Sequence, residues 1–124
     1  MQYFMLWTPA ANEACSTPPT PELMADLGAY FQEVGASTVM AGGLMPLSLG
    51  ARVAVAAGDV VVVDGPFAEA KEVVAGFSVV EADSKEQAVG WARRFAQIHA
   101  DHGWEGVCEV RPLMPAAPSA VPSA

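Results

Sequence analysis

The sequence predicts an α+β sandwich in which two helices cover one face of an antiparallel sheet. Two stretches place apolar residues at helical spacing, and the stretches around them are alternating or β-branched, as strands are. The order β-α-β, hairpin, β-α-β is typical of a ferredoxin-like fold. A chain of 124 residues has the length of one domain. We therefore expect a single domain over residues 1–114 and a disordered tail, rich in proline, alanine and serine, over residues 115–124.

In the first half of the chain, two strands flank one helix. Residues 2–7 (QYFMLW) are almost wholly apolar, which favours a central strand covered on both faces, and the proline-rich residues 8–19 predict a loop. A threonine N-cap, a proline after it and apolar residues at helical spacing predict a helix over residues 20–35. Residues 36–43 (ASTVMAGG) predict a second strand that ends at a glycine pair.

The second half begins with a hairpin and repeats the strand-helix-strand order. Residues 52–64 (RVAVAAGDVVVVD) hold two short strand patterns around a Gly-Asp turn signal. Residues 72–82 predict another strand, in which Gly76 would be a bulge or a point of close approach. A capping box introduces a helical stripe over residues 84–103, and the alternating residues 105–114 complete the sheet.

The first strand is apolar on both of its faces. Its alternate positions are Tyr3, Met5 and Trp7 on one side and Phe4 and Leu6 on the other. Two helices cover one face of the sheet only, so the other face would be an exposed apolar patch. We therefore expect a homodimer that packs sheet against sheet as a dimeric α/β barrel.

The composition excludes several classes of protein. Apolar residues make up 52% of the chain and charged residues 16%, with 14 acidic and 6 basic residues and a net charge of −8. Because the basic residues are few and scattered, we expect no binding to nucleic acid or to an anionic membrane. The apolar start of the chain has no basic leader and is too short to span a membrane, so we expect a cytoplasmic protein.

The two cysteines, Cys15 and Cys108, do not form a disulfide framework, and we expect both to be free thiols. A metal site built from His99, His102 and Cys108 is disfavoured, because the usual ligand spacings are missing. We expect neither a metal nor a cofactor.

The valine strand of the hairpin ends in the tetrapeptide DGPF, which begins at Asp64. An aspartate commonly accepts a hydrogen bond from the amide two residues on, but that residue is Pro66, which has no N–H. The carboxylate is therefore expected to pair with the Phe67 amide, with Lys71 or Arg111, with water or with a ligand. The segment is interpreted either as a solvent-exposed turn or as a ligand site.

Other titratable side chains extend the list of candidates. Glu69 and Glu72 lie close to the tetrapeptide in the sequence. His99 lies on the apolar stripe of the second helix with Trp91 and Phe95. It is interpreted either as a buried base with a shifted pKa or as a packed, hydrogen-bonded core residue.

The stretch VVVDGPFAEAKEVVAGFSVVEADSKEQAVGWA and the later EVRPLM closely resemble the DGPF-type branch of the YCII-related proteins. The similarity runs from MQYFMLW through AGGLMPLS to RPLM and leaves only the tail outside. The resemblance implies a ferredoxin-like, dimeric α/β barrel. It implies less about activity: some relatives are encoded beside or fused to sigma factors, and a few distant ones act on small aromatic degradation products.

The chain departs from the wider family at two positions. A histidine and an aspartate proposed as a catalytic pair in YCII-type relatives correspond here to Met24 and Phe95, so that pair cannot be carried over. The family pattern is retained at Asp64, Gly65, Pro66, Phe67, Glu69, Lys71, Glu72, Gly76 and Arg111.

The favoured hypothesis is a homodimer that binds a small organic molecule in a cleft between helices, sheet and hairpin. Its expected ligand-binding residues are Asp64, Phe67, Lys71, Glu72 and Arg111.

Two alternatives belong to other classes of protein. One is a small cofactor-independent isomerase, lyase or hydrolase with Asp64 or Glu69 as the acid/base. In that enzyme Lys71 or Arg111 would hold an anionic substrate, and His99 would be a further base. The other alternative is an accessory protein that acts with a sigma factor.

Overall fold

The structure is a computed structural model, and it describes residues 1–10, 19–64 and 73–115. Its strands are β1 (Gln2–Pro9), β2 (Thr38–Gly43), β3 (Ala51–Ala56), β4 (Asp59–Asp64), β5 (Gly76–Glu81) and β6 (Gly106–Pro112). Its helices are α1 (Pro21–Glu33) and α2 (Lys85–Asp101), and short 3₁₀ turns lie at Gly35–Ser37 and Leu47–Leu49.

Four of the strands form one antiparallel sheet in the order β2-β5-β1-β6. The remaining two, β3 and β4, pair with each other as a separate antiparallel hairpin. The predicted α+β architecture, with antiparallel strands and two helices, is therefore confirmed. No helix in the described part of the chain combines the length and the apolar character needed to cross a membrane.

Strand β1 sets the core through the alternation of its side chains. Tyr3, Met5 and Trp7 are buried, whereas Phe4 and Leu6 are half-buried. Helix α2 packs on the buried face of β1 and β6. The apolar core consists of Tyr3, Met5, Val80, Ala82, Ala88 and Ala92.

Both helices begin at the predicted caps. Thr20 Oγ1 accepts a hydrogen bond from the amide of Leu23 at 3.2 Å, and Ser84 Oγ accepts one from the amide of Gln87 at 3.1 Å. Each bond satisfies an amide that the first helical turn leaves free. Helix α1 then packs on α2 through aromatic edges, including Tyr30 against Phe95.

The face of the sheet that the helices leave uncovered has an apolar centre. The rings of Phe4 and Phe77 stack on it with centroids 6.0 Å apart. Met40 of β2 is 59% exposed beside them. At the β6 edge, Arg111 Nε lies 3.7 Å from Glu109 Oε2. The described residues thus form an apolar patch with a charged border.

The strands differ from the prediction in several details. Strand β1 continues through Thr8 and Pro9, which were expected in a loop. The bulge expected at Gly76 lies instead in β2, where the register shifts between Thr38 and Met40. The close approach occurs at Gly42, where a Cβ would lie 3.2 Å from the ring of Phe77. At Gly76 the corresponding contact is an ordinary 3.5 Å. The predicted tail, apart from Pro115, lies outside the described residues.

Candidate functional site

The main cavity among the described residues has a volume of about 1090 Å³ and lies between α1, α2 and the β2–β5 side of the sheet. Ligand pockets commonly measure roughly 300–1,000 Å³. The polar side chains in its lining are few: Thr38, Ser78, His99, Cys108 and the indoles of Trp7 and Trp104. No aspartate, glutamate, lysine or arginine occurs among the lining residues that the structure describes.

Helix α1 contributes one continuous stripe to the cavity wall. Met24, Leu27, Gly28 and Phe31 all line it, and their spacing places them on one face of the helix. A Cβ at Gly28 would have no heavy atom within 4 Å. The glycine therefore leaves open space in the middle of an apolar wall.

The connections to the β3–β4 hairpin form part of the opposite wall. Residues 44–46 leave the sheet after β2, residues 73–75 lead back into β5, and both segments line the cavity. They are joined by a hydrogen bond from the amide of Leu44 to the carbonyl of Ala75, at 2.8 Å. The segments on either side of the hairpin therefore both line the cavity.

His99 is the strongest chemical feature of the cavity. It is 4% exposed, and its Nδ1 lies 2.9 Å from the carbonyl oxygen of Phe95, one helical turn earlier. Because a carbonyl oxygen only accepts, Nδ1 donates and carries the proton. The ring centroids of Trp7 and Phe95 lie 4.2 and 4.6 Å from that of the imidazole. Backbone and aromatic contacts thus fix both the tautomer and the orientation of the ring.

The protonation state of His99 follows from its burial. Desolvation lowers the pKa of His99 below its usual value of 6.5, the hydrogen bond to Phe95 opposes this shift, and the charge of His102 adds to it. The ring is therefore neutral at neutral pH, and Nε2 carries a lone pair.

Cys108 lines the same cavity but is not a nucleophile at neutral pH. Burial raises the pKa of its thiol to about 11, and the thiolate is the reactive form. Burial also raises the pKa of Tyr30 to about 12. Tyr30 packs between the helices, outside the cavity lining. Both groups are therefore neutral, and the site is uncharged.

The predicted site residues are placed differently from one another. His99 lines the cavity, whereas Asp64 is exposed at the end of β4 and Arg111 is exposed on β6. Neither Asp64 nor Arg111 is part of the lining. The other candidates, Phe67, Glu69, Lys71 and Glu72, lie outside the described residues. The functional roles of the DGPF segment and of Arg111 stay predictions.

Two lining residues, Met24 and Phe95, lie near the positions at which the resemblance placed the proposed catalytic pair of the wider family. Met24 contributes from α1 and Phe95 from α2. Trp7 is both buried and part of the lining. Its alternation with Leu6 puts the two side chains on opposite faces of the sheet.

Comparisons with known proteins agree with the resemblance. The family model of the YCII-related domain matches residues 1–117. An uncharacterized protein of Rhizobium meliloti (strain 1021) is 36% identical over 80 residues, which are 64% of this chain and 62% of that protein. The chain thus matches less than two thirds of that relative's length.

A solved structure is also similar over most of its length. It is 5-chloro-2-hydroxyhydroquinone dehydrochlorinase from Burkholderia phenoliruptrix, in complex with 2,5-dihydroxybenzoquinone. The two structures share 13% identity and a TM-score of 0.48 over 92% of this chain and 94% of that one. A likeness this distant carries no argument about activity.

Proposed function

This chain belongs to the YCII-related domain family, and on that premise we propose that it binds a small, uncharged and largely apolar organic molecule. The observation that carries the proposal is the cavity of about 1090 Å³, whose described lining holds no charged side chain at neutral pH. We further propose that the chain belongs to the DGPF branch of the family, which the tetrapeptide at residues 64–67 supports.

The chemistry of the lining selects against charged ligands. A carboxylate or ammonium group that entered the cavity would lose its hydration without gaining a partner of opposite charge among the described residues. An apolar or aromatic molecule would instead bury surface against Trp7, Phe31 and Phe95, at about 25 cal/mol per Å² of apolar area removed from water. The cavity is therefore suited to neutral, ring-containing molecules.

Binding can be tested with 1-aminoanthracene, a neutral aromatic dye whose fluorescence increases in apolar surroundings. We expect saturable binding with one dye molecule per chain. The variant Gly28→Leu places a large side chain in the open space at α1 and should weaken binding by about tenfold or more. A leucine also favours helix over glycine by roughly 0.5–1 kcal/mol, so this variant is expected to fold.

The matched control is Gly90→Leu, which makes the same change on α2 outside the cavity lining. It should leave the dye affinity within about twofold of the original chain. Equal binding to the original chain and to Gly28→Leu would place the dye elsewhere and contradict the proposal, as would the absence of saturable binding.

The proposal includes a homodimer formed through the uncovered face of the sheet. Phe4, Phe77 and the 59%-exposed Met40 give this face an apolar centre. Leu6 and Val79 lie beside these residues on the same face, by the alternation of β1 and β5. A second copy packed sheet against sheet would cover the patch from the solvent.

Sedimentation velocity tests the dimer. Val79→Arg introduces a charge at the centre of the patch and should convert the dimer to a monomer at micromolar concentration. Val89→Arg makes the same change on the exposed surface of α2, where Val89 is 37% exposed, and should leave the dimer intact. A monomeric original chain, or a dimer that persists in Val79→Arg, would contradict this part of the proposal.

A further inference from the structure

The open nitrogen of His99 gives the cavity a preference among neutral ligands. We propose that Nε2 of His99 accepts a hydrogen bond from the ligand, so that the cavity selects flat aromatic molecules bearing an N–H or O–H donor. This inference rests on the proposed function, because it needs a ligand in the same cavity.

Nε2 of His99 has no hydrogen-bond partner in the described part of the protein. The one hydrogen bond of the imidazole there joins Nδ1 to Phe95. Among the described residues, no buried side-chain nitrogen or oxygen lacks a hydrogen-bond partner. Nε2 is therefore not sealed inside the core. It is open to solvent, although the residue as a whole is only 4% exposed.

The open space beside the imidazole of His99 belongs to the cavity. His99 lines the cavity together with Trp7, Phe95 and Trp104. These three aromatic side chains surround the imidazole, with ring centroids at 4.2, 4.6 and 6.3 Å. Because His99 lines the cavity and Nε2 is not sealed in the core, a ligand in the cavity would reach this nitrogen.

The tautomer of His99 decides the direction of the hydrogen bond between Nε2 and the ligand. Since the Phe95 carbonyl requires the proton on Nδ1, a neutral ring can only accept at Nε2. A ligand that presents a carbonyl or ether oxygen there would oppose two lone pairs. A ligand that presents an N–H or O–H would pair with the lone pair in surroundings of low dielectric, where an unpaired polar group is costly.

The aromatic rings around His99 restrict the shape of the ligand. The donor must reach Nε2 between aromatic walls, and flat rings pack on such walls in offset or edge-to-face geometry. Aliphatic donors of the same size would lose this contact. The ligand class is therefore a neutral aromatic molecule with a donor at its edge.

Indole and 1-methylindole form the matched pair of probes, because the methyl group removes the donor and leaves the ring unchanged. Isothermal titration of the full chain should show indole binding about five- to tenfold more tightly than 1-methylindole, as expected for one hydrogen bond. His99→Phe keeps a flat ring but has no lone pair. It should bind both probes with equal affinity, close to the affinity of the original chain for 1-methylindole.

The control Gly90→Leu changes α2 outside the cavity lining and should retain the preference for indole. If both probes bind the original chain equally well, the inference is wrong and the proposed function survives. If His99→Phe keeps the preference, the donor is recognised elsewhere and the inference is also wrong. Failure of both probes to bind would contradict the proposed function and this inference together.

A second measurement does not depend on the folding of His99→Phe. The chain has two histidines, so ¹⁵N-labelled histidine gives a simple spectrum. Addition of indole should shift the Nε2 resonance of His99 upfield from the value of an unprotonated imidazole nitrogen, and 1-methylindole should not. An unchanged Nε2 resonance at saturating indole would overturn the inference.

Discussion

The imidazole of His99 lies against the indole of Trp7, with ring centroids 4.2 Å apart and an angle of 32° between the ring planes. One residue comes from the central strand and the other from the second helix. Their contact joins the core to the cavity, because both side chains are buried and both line the open space. Because His99 is buried in the folded chain, its protonation is expected to change the free energy of unfolding.

Acid should destabilise the protein through His99. Its pKa is 6.5 in the unfolded chain and lower in the folded one, so the unfolded chain takes up the proton first. The contribution of His99 to the free energy of unfolding should therefore be constant above about pH 7 and fall as the pH drops through 6.5 towards the folded pKa. Urea denaturation at a series of pH values measures this slope.

The comparison that isolates His99 is His99→Phe, which removes the titrating group and retains an aromatic ring. Its slope between pH 7 and 5 should be smaller than that of the original chain. Identical slopes would show that His99 does not carry this part of the pH dependence. His102, whose Nε2 lies 2.7 Å from Asp26 Oδ2, is present in both chains.

The thiol of Cys108 should react slowly with alkylating reagents. A pKa of about 11 in place of the ordinary 9.0 reduces the thiolate fraction near pH 8 by roughly a hundredfold. Iodoacetamide labelling of Cys15→Ser, followed by mass spectrometry, reports on Cys108 alone. The folded chain should react about a hundredfold more slowly than the same chain in concentrated urea, and similar rates would contradict the burial of the thiol.

Gly106 at the start of β6 should not tolerate a side chain. A Cβ there would lie 2.7 Å from the Thr8 carbonyl oxygen and 2.8 Å from Pro9 Cα. Both are backbone atoms, so the strand must shift, and Gly106→Ala should cost about 1–3 kcal/mol of stability. Gly90→Ala on α2, where nothing lies within 4 Å, should instead gain about 0.5–1 kcal/mol. Chemical denaturation of both variants checks this prediction, and a neutral Gly106→Ala would contradict the close packing of β6 on β1.

The N-cap of α2 should contribute to stability through one hydrogen bond. Ser84→Ala removes the bond to the Gln87 amide and should cost about 1 kcal/mol. Ser84→Asp retains an acceptor at the positive end of the helix dipole and should stay within a few tenths of a kcal/mol. Equal losses in the two variants, measured by thermal or urea denaturation, would show that the cap is not the cause.

The fold was predictable because local signals and long-range packing agree. The caps at Thr20 and Ser84 marked the helix starts, and the valine-rich segment around Gly58 marked the hairpin. The strand predicted before Gly76 is absent at residues 73–75, because β5 begins at Gly76 and the preceding residues are part of the cavity lining. A run of valines has the same pattern in either role.

The candidate site was only partly predictable. His99 was interpreted either as a buried base or as a packed, hydrogen-bonded core residue. It is buried, with Nδ1 bonded to the Phe95 carbonyl, and its role as a base stays a prediction. A cleft between the helices, the sheet and the hairpin was expected, but its size and its uncharged lining could not be read from the sequence. The size depends on how far α1 stands from β2 and β5, and spacing within one element does not fix the distance between elements.

Gly43 and Gly76 are a cross-strand pair, and the neighbouring amide and carbonyl of Leu44 and Ala75 continue their ladder. The chain thus leaves the sheet and returns to it on the same rung. A segment whose two ends already touch can be lengthened, shortened or rewritten without moving the strands it connects. The lining residues beside this rung, residues 45–46 and 73–74, can therefore change during evolution while the sandwich stays the same.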